Sequence, residues 1–202
     1  MSDETILPTE NQGPGENPNE EKGSFRLDLY FWVQALVMAL VCLILVFTLV
    51  GRIIGVVGSS MLPTLHEGDL LLLQSVGYTP KQGDVVVLRK PDFPWPETAP
   101  VVKRVIAVEG QHVRVDYDAH CVYVDGVALD EPYINGIMEQ PTDSALIYLD
   151  LTVPEGSVYV LGDNRNHSSD SRHQLLGPVD ERYVLGRALW VISPFQNFGA
   201  ID

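Results

Sequence analysis

This sequence has few cysteines, histidines and basic residues, and each shortage removes a class of function. It carries two cysteines and five histidines, and its 13 Lys and Arg face 27 Asp and Glu. Cys42 lies inside a long apolar run and Cys121 far outside it, so a membrane would keep them from pairing in one chain. Cys121 falls within a strand-like run, where a small buried apolar residue is the default and a nucleophile is not. His66, His112, His120, His167 and His173 show no HExxH spacing, and no CxxC pair exists, which leaves no metal site to expect. GxGxxG and GxxxxGK are absent, so no phosphate-bearing cofactor is expected. A formal charge of −14 and a pI near 4.6 remove the electrostatic footprint of a nucleic-acid binder. Neither GxSxG nor SxxK occurs, and no internal repeat appears. At 202 residues the chain is long enough for one domain of ordinary size and a short appendage.

The apolar residues that are present are concentrated. Mean hydropathy is only +0.08 over the chain, yet Leu29 to Gly51 contains no charge and one strongly polar side chain, Gln34. As a helix at about 1.5 Å per residue this run reaches about 35 Å, enough for a bilayer core of about 30 Å. Its apolar side chains surround the whole circumference, unlike the stripe of a helix packed on a soluble core. A cleavable leader is a poor match: the preceding residues are acidic, the run is too long and no Ala-x-Ala follows it. Lys22 and Arg26 before the run outnumber Arg52 just after it, which favours a cytoplasmic N-terminus by a margin of one residue. Residues 1–28, with three prolines and a net charge of −5, are expected to form a disordered acidic tail. The expected organisation is therefore tail 1–28, transmembrane helix 29–51 and an extracytoplasmic domain 52–202.

That last domain reads as mostly β. Short runs rich in Val, Ile, Leu and Tyr lie between turn signals at Asp69–Gln74, Asp84–Arg89, Val101–Val108, His112–Asp116, Cys121–Asp125, Ser157–Leu161 and Tyr183–Ile192. Asp125-Gly126 is a strong hairpin signal. PDFPWPETAP and EPYINGIMEQPTDS cannot be central strands and are expected to be loops or extended edges.

Three clusters could carry chemistry. Gly58-Ser59-Ser60-Met61-Leu62-Pro63-Thr64-Leu65 follows the apolar run, and its glycine and proline could hold a hydroxyl rigidly or merely form a linker. A serine hydroxyl is a weak nucleophile until a base takes its proton. Of the three lysines in the domain, Lys81 and Lys90 read as solvated loop charges. Lys103 instead interrupts PVVKRVIAV, where burial would lower its pKa and free the amine as a base, unless it snorkels from a strand edge. Strand alternation puts Lys103 and Arg104 on opposite faces, so one of them could point to solvent. The third cluster, Gly162-Asp163-Asn164-Arg165-Asn166-His167-Ser168-Ser169-Asp170-Ser171-Arg172, could be an ordinary polar turn or could hold a lysine amine in place.

In this order behind an apolar span, SMLPTL, GDVVVLRKP, VKRVIAVEG and GDNRNHSSDSR resemble the boxes of the bacterial type I signal peptidases. These are membrane-bound serine proteases with a Ser/Lys dyad. The resemblance runs from Leu29 to the C-terminus and looks like the compact, single-span form. It implies an antiparallel sheet or partly open barrel, Ser60 as nucleophile and Lys103 as general base. By the same likeness Ser168 would orient the lysine amine by a hydrogen bond, and Asp163, Asp170, Arg104 and Arg172 would form a supporting ionic network. Gly58, Ser59, Met61 and Pro63 would line the substrate or oxyanion site.

The implied substrates are secretory preproteins with small residues at −1 and −3, cut through an acyl-enzyme at a bacterial plasma membrane. Lipid and the secretion translocon are the implied neighbours; Met61, Leu62, Phe93 and Trp95 are candidates for lipid contact, with packing into the domain the expected role for most of them. Three positions depart from the family pattern. Gly58 replaces a serine that some members use as an oxyanion donor, which leaves the Ser60 N–H and an unassigned second donor. Gln111 follows Gly110 where an aspartate is common, and His167 replaces a frequent Asn or Asp. Two other readings are weaker: a self-cleaving repressor-type protease, which has no membrane span, and a tethered β binding module with a dead site.

Overall fold

A computed structural model describes residues 18–49, 51–91, 100–142 and 145–201. The chain divides into two units, residues 1–45 and residues 46–202. Helix α1 spans Pro18–Leu49, and its segment Leu27–Leu45, of mean hydropathy 2.1, is long and apolar enough to cross a membrane. The helix starts within the stretch expected to be a tail. Proline suits the first helical position, where no N–H is needed. It ends at Leu49, short of the expected Gly51, because Gly51 opens the first strand of the next unit.

All the strands lie in residues 46–202 and pair antiparallel. β1 (Gly51–Gly55), β2 (Leu70–Gln74), β3 (Val85–Leu88) and β4 (Val101–Val108) are followed by β5 (His112–Asp116), β6 (Cys121–Val124) and β7 (Val127–Ala128). Then come β8 (Asp150–Thr152), β9 (Ser157–Leu161), β10 (Val179–Asp180), β11 (Val184–Ser193) and β12 (Gly199–Ala200). The larger sheet runs β1-β2-β11-β3-β4-β9-β10, with β12 paired to β11, and its path stays open between β1 and β10. The smaller sheet runs β7-β6-β5-β8. The mostly β, antiparallel architecture expected from the sequence is thus the one present.

Local chemistry explains these elements. Asp125 and Gly126 both adopt positive φ, 52° and 80°, at the tight turn joining β6 to β7, where Gly and Asp tolerate the left-handed region best. β4 is buried from Val102 to Ala107 because it is central to its sheet, between β3 and β9, and both of its faces are covered. Lys103 and Arg104 are therefore both buried, and the expectation that one of them meets solvent does not hold.

Three apolar clusters hold the domain. One gathers Val56, Met61, Leu65, Leu71, Leu73 and Ala188, so the turn after β1 is anchored from below by its own Met and Leu. A second joins Val113, Val122 and Val124 of the smaller sheet to Ile106, Tyr159 and Leu161 of the larger. The third packs Val86, Leu88, Val105, Val160 and Leu176. The opposite face of β1, β2 and β11 is different: Ile53, Leu72 and Trp190 are direct cross-strand neighbours, with Leu70 beside them and Phe198 and Phe195 stacked beyond Trp190. Most of this apolar strip is exposed, Phe195 at 89%.

One loop lysine behaves differently from its sequence reading. Lys90 is no solvated charge, since its Nζ donates to the carbonyls of Leu175 (3.2 Å) and Leu176 (2.8 Å). Residues 92–99, with Phe93 and Trp95, lie outside the described residues.

β11 shifts register against β3 at Gly186, where the missing side chain lets the strand come close to Gln74. A Cβ there would stand 2.4 Å from Gln74 O on a backbone at φ +156°. Gly186→Ala is expected to destabilise the domain by about 2 kcal/mol, the cost of forced overpacking. Urea unfolding followed by tryptophan fluorescence measures it, and an unchanged midpoint would contradict this role for the glycine.

Candidate active site

The site is built where β4 passes beneath the turn that follows β1. In that turn Val56 N–H donates to Asp69 O (2.8 Å), Gly68 N–H returns to Val56 O (3.0 Å) and Leu65 N–H reaches Met61 O (2.9 Å). Met61 and Leu65 point into the core, which presses the turn onto the sheet and leaves Ser60 half-buried at its surface. Gly58, at φ +84°, supplies the left-handed residue needed to enter the turn.

Lys103 Nζ lies 2.8 Å from Ser60 Oγ and 3.0 Å from Val102 O. The residue is 3% exposed. Burial lowers its pKa most; Asp170 and Asp163 push it back up, Arg172 lowers it again, and the amine settles at about 8. A neutral amine at this distance can take the proton of a serine hydroxyl, which is the geometry required of a nucleophile and its base.

Around this pair the third cluster folds as a web of charge and hydrogen bonds. Arg104 Nε and Nη2 donate to the two Asp163 carboxylate oxygens at 2.9 and 2.8 Å, and Nη1 donates to Gly83 O. Thr64 Oγ1 donates to the same Asp163 carboxylate, tying the nucleophile turn to it. Arg172 is paired with Asp170 through Nε at 2.8 Å and Nη2 at 2.9 Å. Burial alone would raise the Asp170 pKa, but Arg172 and the Gly162 N–H together hold the carboxyl below its usual range. Asn164 grips the turn twice, with N–H to Ser60 O (3.0 Å) and Nδ2 to Ser59 O (3.1 Å).

The expected residues are met unevenly. Lys103, Arg104, Asp163, Asp170 and Arg172 come together as one buried set, with half-buried Ser60 against Lys103. Ser168 sits beside them, but its buried Oγ makes no hydrogen bond of normal geometry, so its expected bond to the Lys103 amine is not formed. Its Oγ lies only 2.3 Å from where a Cβ on Gly162 would stand, so the hydroxyl is packed against the end of β9. Gly58 and Ser59 line a cavity of about 420 Å³ with Ser60, Lys103, Val57, Val101 and Val102. Met61 and Pro63 do not line it: Met61 is 1% exposed in the core, its length being what anchors the turn, while Pro63 faces solvent. Among the described residues no three His, Cys, Asp or Glu side chains gather as a metal site would need.

Sequence reasoning assigned nothing to Asn164, Thr64, Arg165 or Glu131. The first three lie inside the quoted clusters, so the signal was there. Glu131 lies outside them and pairs with both terminal nitrogens of Arg165, whose Nε holds Gly162 O. No local pattern marks it.

Comparison with known proteins follows the same residues. The signal peptidase, peptidase S26, family matches residues 29–193. Signal peptidase I of Bacillus licheniformis is 32% identical over 194 residues, covering 91% of this chain and 99% of that protein. Signal peptidase IB of Staphylococcus aureus (strain N315) is 31% identical over 186 residues, 85% of this chain and 93% of the other. The mitochondrial ATP-independent inner membrane protease subunit 1b of Arabidopsis thaliana is 35% identical over 148 residues, 71% of each chain. A crystal structure of a signal peptidase I from Enterococcus faecalis is 32% identical, with a TM-score of 0.43, and covers 55% of this chain and 97% of that one. With a family match that begins in the apolar helix and ends in β11, the chain belongs to the signal peptidase, peptidase S26, family and is a serine peptidase.

Proposed function

We propose that this protein is a membrane-bound endopeptidase that removes N-terminal signal peptides from secretory preproteins by a Ser60/Lys103 dyad. The observation that carries the reading is the 2.8 Å approach of a buried lysine amine, with a pKa of about 8, to a serine hydroxyl. The family and its curated members named signal peptidase I supply the substrate class.

The chemistry is acyl transfer. One N–H of the neutral amine is held by Val102 O, so the lone pair can turn to Ser60. Lys103 takes the hydroxyl proton as Ser60 Oγ bonds to the scissile carbonyl carbon. The oxyanion develops beside the Ser60 backbone N–H, where an aimed donor lowers the barrier. The lysine ammonium then protonates the leaving amine as the C–N bond breaks, leaving an acyl-enzyme. A water gives its proton to the amine, attacks the ester and releases the signal peptide, and Ser60 recovers its proton. The apolar walls of the cavity, Val57, Val101 and Val102, suit small residues at −1 and −3 on an extended chain whose backbone pairs beside a strand.

Leu27–Leu45 anchors the enzyme in the bacterial plasma membrane, with the N-terminus cytoplasmic and the catalytic domain on the outer side, where substrates leave the secretion translocon. The exposed strip of Ile53, Trp190, Phe195 and Phe198 meets lipid, since aromatic side chains favour the membrane–water boundary.

Cleavage of a purified preprotein in detergent tests this reading. Ser60→Ala and Lys103→Ala should each lower kcat by about a thousandfold or more, and the proposal fails if either variant cuts like wild type. The pH profile gives a second test. A protonated amine cannot accept the serine proton, so kcat/KM should rise about tenfold per pH unit up to about 8 and level off above it; a flat profile across this range would rule Lys103 out as the base. Gly162→Ala would place a Cβ 2.5 Å from Ser60 O and 2.3 Å from Ser168 Oγ. Moving the nucleophile by such a clash should lower kcat by about a hundredfold, and wild-type turnover by this variant would show that the close approach is dispensable.

A further inference from the structure

Asp69 is a buried carboxyl group that neither the dyad nor its ionic web uses. It is 1% exposed, yet no lysine, arginine or histidine pairs with it among the described residues. A carboxylate withdrawn from water without a cation depends on hydrogen bonds to its oxygens. One comes from inside the nucleophile turn, where His66 N–H donates to Oδ2 at 2.8 Å. The other comes from far along the chain: Asn197 Nδ2 donates to Oδ1 at 2.7 Å. The backbone of Asp69 closes the turn, because its carbonyl accepts the Val56 N–H at the opening and its own N–H returns to His66 O. The turn is therefore gripped at two ends. Asn164 and the Thr64–Asp163 bond hold the end beside the dyad, and Asn197 holds the end at Asp69.

We infer that Asn197 is a positioning residue for catalysis: through Asp69 it fixes the far end of the nucleophile turn, and with it the placing of Ser60 Oγ against Lys103. The inference rests on the proteolytic reading above. Asn197 is well suited to act as a fixed point. It ends the short helical turn Phe195–Asn197 with its N–H on Pro194 O (3.0 Å), and β12 just beyond it pairs with β11. Ile201 then packs into the same apolar cluster as Met61 and Leu65. Phe195 and Phe198, stacked with centroids 6.2 Å apart, are exposed, whereas Asn197 between them is half-buried and turned to the carboxylate. Without its amide, one oxygen of a buried carboxylate loses its donor, and Asp69 gains by turning toward water. That movement draws Val56 and His66 with it and leaves the turn to pivot on Asn164. Lys103 stays where β4 holds it, so the damage falls on the distance and angle at which Ser60 meets its base, to which proton transfer is sensitive.

The experiment measures cleavage of a purified preprotein by the full chain in detergent, with urea unfolding to establish that each variant is folded under the assay conditions. Asn197→Ala should lower kcat about tenfold, with KM changed by less than about twofold and the pH inflection still near 8. Asn197→Asp sets two carboxylates against each other and should lower kcat about a hundredfold. The exchange of both partners, Asp69→Asn with Asn197→Asp, restores the hydrogen bond with its direction reversed, and kcat should return to within about threefold of wild type. Gln196→Ala, on the exposed neighbour in the same turn, should cut like wild type. A folded Asn197→Ala with wild-type kcat, even at a lowered urea midpoint, would overturn the positioning role and leave the proteolytic reading intact. A folded exchange variant no faster than Asn197→Asp would do the same. Failure of wild type to cut any preprotein would overturn both.

Discussion

The buried pair of Arg104 and Asp163 is the contact on which the rest of the site depends. Its carboxylate receives Arg104 from β4 and Thr64 from the nucleophile turn, while the Asp163 carbonyl receives Asn135 from the loop before β8. Arg104 continues outward to Gly83 O and lies under the Tyr133 ring. Withdrawing two charges from water is costly, and the pair is tolerable only because nearly every donor and acceptor around it is used. The consequence for catalysis is geometric. Adjacent residues on a strand face opposite ways, so fixing Arg104 on one side of β4 fixes Lys103 on the other, toward Ser60.

The same logic explains why the glycines and the core matter to chemistry. Met61 and Leu65 seat the turn from below, Asn164 holds it from the side, and Gly162 lets the end of β9 come close to Ser60 O. None of these groups has chemistry of its own to offer. Together they remove the freedom that a serine on a surface loop would otherwise have, and that freedom is what a preorganised nucleophile must lose in advance.

Much of this was legible from residues alone, and the failures have physical causes. Val101–Val108, His112–Asp116 and Ser157–Leu161 are strands at the expected bounds because their β-branched runs end in strong turn signals. β1 escaped notice because it starts with Gly51 directly after a helix whose hydrophobicity masks the change of period. β7 was marked by the Asp125-Gly126 turn before it, whereas β8, β10 and β12 are too short to leave a periodic signature. Lys103 and Arg104 could be seen to face opposite ways, yet not that both faces of β4 would be covered, which depends on the order of strands in the sheet. Met61, beside the nucleophile, could line the substrate site or pack inward, and its burial is set by Leu71 and Leu73, remote strand residues that pack under it. Glu131 was invisible because its partner, Arg165, is distant in sequence and only tertiary contact joins them.

Burying Lys103 also couples the folding of this chain to its solvent. The amine has a pKa of about 8 in the folded protein against 10.5 for an ordinary lysine, so between these values the unfolded chain carries a proton that the native one has shed. Folding therefore releases that proton to solvent, and native stability rises with pH across the interval. Below it, both states are protonated and the native state carries the buried charge at a penalty of roughly 3 kcal/mol, from about 1.4 kcal/mol per pKa unit. The residue that would serve as base is thus also a reservoir of instability, and an acidified medium would weaken the fold and silence the amine by one and the same protonation.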